Sequence, residues 1–113
     1  EMLNVDWVKE FPAMISVCDM EGVILAMNDR EAEFFKDRGG AALIGSNLYD
    51  CHQPASRAMI KEMMASESQR IYMVEEGDKR ELIIQSPWYQ DGKMAGLVEM
   101  AFELEGDIPH LMR

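Results

Sequence analysis

Cys51 and His52 are adjacent, and a thiol beside an imidazole suits nucleophilic or metal chemistry. A Cys/His nucleophile needs the ring to face the sulfur, with a third group to orient it. Neighbouring residues point apart on most backbones, so the pair alone makes no dyad. A metal site needs three or four converging ligands, and Cys18, His110 and the scattered carboxylates show no ligand spacing. No Gly-rich phosphate loop, Gly-x-Ser-x-Gly elbow or paired-carboxylate signature occurs. The residues therefore read as non-enzymatic and metal-free.

What remains is binding. Methionine is the unusual residue, with 11 copies in 113 residues. Its flexible, polarizable side chain fills irregular cores and also lines adaptable pockets. The length suits one domain, and 48% apolar against 28% charged residues is too hydrophobic for disorder. Such a chain buries roughly two-thirds of its unfolded surface, enough for a core without a staple. Eleven basic against 21 acidic residues give a net charge of −10. That balance repels phosphate backbones and anionic membranes, which argues against nucleic acid as a direct partner. No apolar run approaches the ~20 residues of a membrane helix, so no membrane insertion is expected. Two cysteines make no disulfide framework and point to a reducing, cytoplasmic setting. The opening Glu1-Met2-Leu3-Asn4 has neither a basic n-region nor an apolar h-region. Without an initiator Met, it suggests a piece of a longer protein.

The elements that must position these residues follow from periodicity. Leu3, Trp7, Val8 and Phe11 are apolar at helical spacing before Pro12, which predicts an amphipathic helix over 1–12. Ala13–Cys18 and Val23–Met27 read as strands joined by the turn Asp19-Met20-Glu21-Gly22. Asn28 is a good N-cap, and Glu31 stands at capping-box spacing from it. The helix they open is expected to run to Gly39-Gly40, with short turns at 41–44 and 47–52. Pro54 starts a longer helix to about Ser66, with Met59, Ile60, Met63 and Met64 in one stripe. Strands at 70–75, 80–89 and 94–104 complete the chain, the last two joined at Asp91-Gly92. In the last strand Val98, Met100, Phe102 and Leu104 share one face, and Glu99 and Glu103 the other. A five-stranded antiparallel α+β sheet, with helices over one face, buries this pattern.

In this order the chain resembles a PAS domain over nearly its whole length. The resemblance rests on Asp19-Met20-Glu21-Gly22-Val23-Ile24, on Asn28 opening a helix, and on Leu43-Ile44-Gly45-Ser46-Asn47-Leu48-Tyr49-Asp50. Asp91-Gly92-Lys93 followed by Gly96-Leu97-Val98 adds the last hairpin and strand. Asp50-Cys51-His52-Gln53-Pro54 is similar to the Cys-His-Pro-Pro stretch of one PAS subgroup, with Gln53 where the first proline would stand. The resemblance implies a PAS domain over 13–106, a capping helix over 1–12 and a tail over 107–113 leading to a downstream region. It also implies a sensory or interaction module serving an output domain such as a kinase, cyclase or transcription regulator.

The cofactors of such modules can be tested on the residues. Flavin photosensors of this kind carry Gly-x-Asn-Cys-Arg, whereas Gly45-Ser46-Asn47 is followed here by Leu48, so no flavin adduct is expected. Haem sensors place an axial histidine on the longer helix, and 54–66 contains none. His52 precedes that helix, and Met59 or Met63 would ligate iron only by pointing at it, so haem is not the expectation either. The pocket implied between sheet and helices would be lined by Ser16, Phe35, Leu43, Tyr49, Met59, Met63, Tyr72, Ile84, Trp88 and Met100. Ser16, Tyr49, Tyr72 and Trp88 would supply its polar contacts. Leu3, Trp7, Val8 and Phe11 would pair two protomers or cap their own sheet. The expectation is a cytoplasmic sensor of a small-molecule ligand, acting as a homodimer that relays a signal. The alternatives are a ligand-free interaction module and a haem-based redox or gas sensor.

Overall fold

The turn at Asp19 shows how local chemistry sets the first hairpin. The Asp19 carboxylate accepts hydrogen bonds from Glu21 N and Val23 N, both at 2.9 Å, an Asx-type closure. It reverses the chain between β1 (Met14–Asp19) and β2 (Ile24–Met27). The computed structural model describes residues 3–113, apart from the Cys51 side chain. α1 (Asp29–Phe34) follows, then three 3₁₀ turns at Lys36–Arg38, Gly40–Leu43 and Leu48–Cys51. α2 (Pro54–Ser66) leads into the long meander β3 (Arg70–Glu76), β4 (Lys79–Gln90) and β5 (Lys93–Leu104).

The five strands form one antiparallel sheet in the order β2-β1-β5-β4-β3. The last strand thus pairs beside the first, and β2 and β3 are the edges. Directly paired residues project to the same face, so the register assigns the faces. One row reads Ser16, Glu99, Gln85, Arg70 across β1, β5, β4 and β3. The next reads Ile15, Met100, Ile84, Ile71, and it projects the other way. The face carrying Ser16, Cys18, Leu97 and Glu99 is the inner one, toward α2. There Cys18, Leu97, Ile60, Met63 and Met64 form the buried core cluster.

The N-terminal segment departs from the expected helix. Residues 3–12 hold only a turn, closed by Phe11 N donating to Val8 O at 3.2 Å. The Asp6 side chain accepts from Lys9 N at 3.3 Å as a cap would, and Pro12 ends the run, so only one turn fits between them, well below the ~12 residues a helix needs to hold itself. Aromatic stacking fixes the segment instead. Trp7 meets Phe11 edge-on at 5.6 Å, and Phe11 meets Phe102 edge-on at 6.2 Å. Phe102 belongs to the outer row, so this segment covers part of the face opposite α2.

Candidate functional site

Asn28 begins the site. Its Oδ1 accepts from Glu31 N at 3.1 Å as an N-cap and from Ile15 N at 3.0 Å, and its Nδ2 donates to Ala13 O at 2.7 Å. It is 2% exposed and ties the start of α1 to the start of β1. The spacing to Glu31 suggested a reciprocal capping box. Only half of one forms, because Asn28 N donates to Ile15 O at 3.0 Å. The Glu31 side chain is released from that duty and lines the space under the sheet.

α1 ends earlier than expected, at Phe34 rather than near Gly39. The Phe35 carbonyl accepts from Arg38 N at 2.8 Å and from Gly40 N at 2.9 Å, which tightens the chain into a 3₁₀ turn. Phe35 lines the cavity, while Phe34 stays 65% exposed. α2 starts on Pro54 and contributes Met59, Ile60 and Met63 to the cavity roof. Asn47 shapes the loop before it, accepting from Tyr49 N at 2.9 Å and donating to Glu21 O at 3.0 Å.

Between these elements and the sheet lies a cavity of about 640 Å³. Its floor is the polar row Ser16, Glu99, Gln85 and Arg70, and Glu31 enters from α1. Gln85 Nε2 donates to Glu99 Oε2 at 2.6 Å. The Arg70 guanidinium lies 4.3 Å from the centre of the Tyr72 ring, at the exposed β3 edge. Among the described residues, two buried side-chain oxygens here have no hydrogen-bond partner: Glu31 Oε2 and Gln85 Oε1. Glu31 is 2% exposed. Burial pushes its carboxyl up to about 7, the neighbouring Glu99 carboxylate adds to the rise, and a hydrogen bond with the Ser16 side chain opposes it. Burial likewise raises the Cys18 thiol and the Tyr72 phenol.

Of the residues expected to line a pocket, Ser16, Phe35, Leu43, Met59, Met63 and Tyr72 meet around this cavity. Tyr49, Ile84, Trp88 and Met100 do not. Ile84 and Met100 lie in the outward row, because the face of β5 turned to α2 is the one carrying Leu97, Glu99 and Ala101. Alternation separates the two faces, but hydrophobicity points to the wrong one as the inner face. Tyr49 packs against the core cluster and over Gly22, where a Cβ would collide with its ring. Trp88 donates its indole N–H to Cys18 O at 2.9 Å and so braces β1. Glu31, Gln85, Glu99 and Arg70 were missed as site residues. Their signal was polar residues at inward strand parity, visible only once the register is known. His52 lines the cavity with Nδ1 2.6 Å from Leu48 O, and the Cys51 side chain lies outside the described residues. No group of three metal-ligating side chains converges among the described residues. No helix among them is long and apolar enough to cross a membrane.

No family model and no curated protein sequence matches the chain. Solved structures do. The PAS domain of the histidine kinase ThkA superposes with a TM-score of 0.60 at 14% identity, over 79% of this chain and 97% of that one. The Aer2 receptor from Vibrio cholerae, described as a dual PAS-heme oxygen sensor, gives 0.61 at 16% identity, over 82% and 95%. VqmA from Vibrio cholerae gives 0.66 at 16% identity over 88% of this chain and 49% of its own, and a further VqmA structure is bound to DPO. The chain has the PAS fold, the fold of sensor domains in kinases and receptors.

Proposed function

We propose that this PAS-fold module is a cytoplasmic sensor that binds a small molecule in the cavity between sheet and α2 and passes its occupancy to an attached output domain. The observation that carries the reading is the cavity itself. It spans about 640 Å³ and opens to solvent on one side, its roof is the adaptable Met59 and Met63, and its floor presents a few convergent polar groups. Two buried oxygens on its wall, Glu31 Oε2 and Gln85 Oε1, have no protein partner, so a ligand or water would complete them. The neighbours support the same reading, since one is described as an oxygen sensor and another is bound to DPO.

Signalling would be a shift between two packings of α2 and the 36–51 segment against the sheet. The ligand moves that equilibrium by no more than its differential affinity, tenfold for each ~1.4 kcal/mol. The domains are 13–106 for the sensor, with 1–12 and 107–113 as flanking segments. Leu3 and Trp7 are 86% and 49% exposed, which suits a homodimer joined through the N-terminal segment while Phe11 anchors it to its own sheet. Native mass spectrometry of the freshly purified chain tests both parts. A reproducible small bound mass on a dimer is expected. An empty monomer, unchanged in stability across a panel of metabolites, would contradict the sensor and the dimer together.

A further inference from the structure

The two oxygens without partners say what kind of molecule the cavity takes. Gln85 Oε1 is an acceptor, Glu31 Oε2 becomes one once the carboxyl ionises above about pH 7, and both buried atoms belong to side chains that line the same space. Gln85 spends its amide donor on Glu99 Oε2 at 2.6 Å, an orientation that uses Glu99 as an acceptor and turns the amide oxygen toward unmet donors. The deficit is therefore one of donors, beside two carboxylates. Arg38, Arg70 and His52 also line the cavity, but the two arginines stand at its exposed rim. Arg70 is exposed and rests on Tyr72, and Arg38 is exposed on a 3₁₀ turn. Neither is among the influences on the Glu31 carboxyl, whose high proton affinity reflects burial and Glu99.

Resting on the ligand-sensor reading above, we infer that the cavity is selective for a small organic cation, a primary ammonium or amidinium on an apolar body. Its N–H groups satisfy Glu31 and Gln85 beside Glu99, and its apolar part lies against Phe35, Met59 and Met63. Charge-assisted hydrogen bonds to a carboxylate are the strong kind, whereas a neutral alcohol offers one uncharged donor and leaves the second acceptor unmet. An anion of the same shape meets two carboxylates and is repelled.

The test is a methyl NMR titration of the whole chain labelled at its methionine methyl groups. Met59 and Met63 report the cavity, and Met73 reports the far side of the sheet. Three probes of one shape are compared at pH 8: 2-phenylethylamine, 2-phenylethanol and phenylacetate. Saturable shifts at Met59 and Met63 with the amine are expected, with Met73 unmoved and at least tenfold weaker binding of the alcohol and the acid. Glu31→Gln should lower amine affinity at least tenfold and weaken alcohol binding far less, since only the amine loses a charge-assisted bond. The inference is overturned if the alcohol or the acid binds as well as the amine, and that result keeps the ligand cavity intact. It is also overturned if the variant binds the amine normally, or if no probe moves Met59 and Met63. The bound mass in the native spectrum then decides the sensor reading separately.

Discussion

Glu31 concentrates the physical argument at the scale of the residue. A carboxyl that ordinarily titrates near 4.5 stands at about 7 in the fold, because it is buried and shares its surroundings with Glu99. The folded state therefore holds this proton more tightly than the unfolded chain. The stability it contributes is fully present below pH 4.5 and is lost as pH rises through the window to about 7. Across that window the cost grows to about 3 kcal/mol. Glu31→Gln has no proton to lose. Its unfolding free energy should match that of the parent near pH 4.5 and exceed it by about 2–3 kcal/mol at pH 8. Urea melts at a series of pH values check this, and parallel curves would contradict it. A residue retained at such a cost near neutral pH is what a binding site tends to contain, since function and stability compete there.

At the scale of the element, Gly96 decides how closely the first and last strands meet. It pairs with Asp19 on one side and Trp88 on the other. A Cβ at this position would overlap the Cys18 carbonyl oxygen, the same atom that accepts the Trp88 indole N–H at 2.9 Å. The absent side chain lets a residue of β4 reach β1 past β5. Gly96→Ala must push β1 away and break that bond, so a loss of more than about 3 kcal/mol, or failure to fold, is expected by thermal unfolding. A variant within 1 kcal/mol of the parent would show that the strands do not approach as described.

The same scale shows what could be read in the sequence. Helix α2 and all five strands were legible, because their periodicity and their Gly, Pro and Asx punctuation act locally. The helix over 1–12 was not, since spacing alone cannot register that Pro12 and Asp6 close a turn first. The site was half legible. Ser16, Phe35, Leu43, Met59, Met63 and Tyr72 followed from the resemblance to PAS domains, and all six line the cavity. Glu31 was visible only as a capping residue, and the Glu99–Gln85 pair emerges from a register between distant strands. The error at Ile84 and Met100 has a single physical source. Both faces of this sheet carry apolar residues, so hydrophobicity could not say which one turns toward α2.

For the whole molecule, the two faces of the sheet divide the work. The inner face presents the polar row beneath a methionine-rich roof. The outer face carries Ile84, Met100 and Phe102, with the N-terminal segment laid over part of it through Phe11. An occupant of the cavity is thus separated from the flanking segment by one layer of strands, and the polar row is the part of that layer it would touch. A binding cavity differs from a packing defect in what it holds, which crystallography with mixed fragment soaks would reveal. Amines, acids, alcohols and heteroaromatics would be supplied together. Ordered density is expected between the Ser16–Glu99–Gln85 row and Met59 and Met63, with a donor group within hydrogen-bond distance of Glu31 or Gln85. Fragments found only on the outer face, over a cavity holding nothing but water, would contradict it.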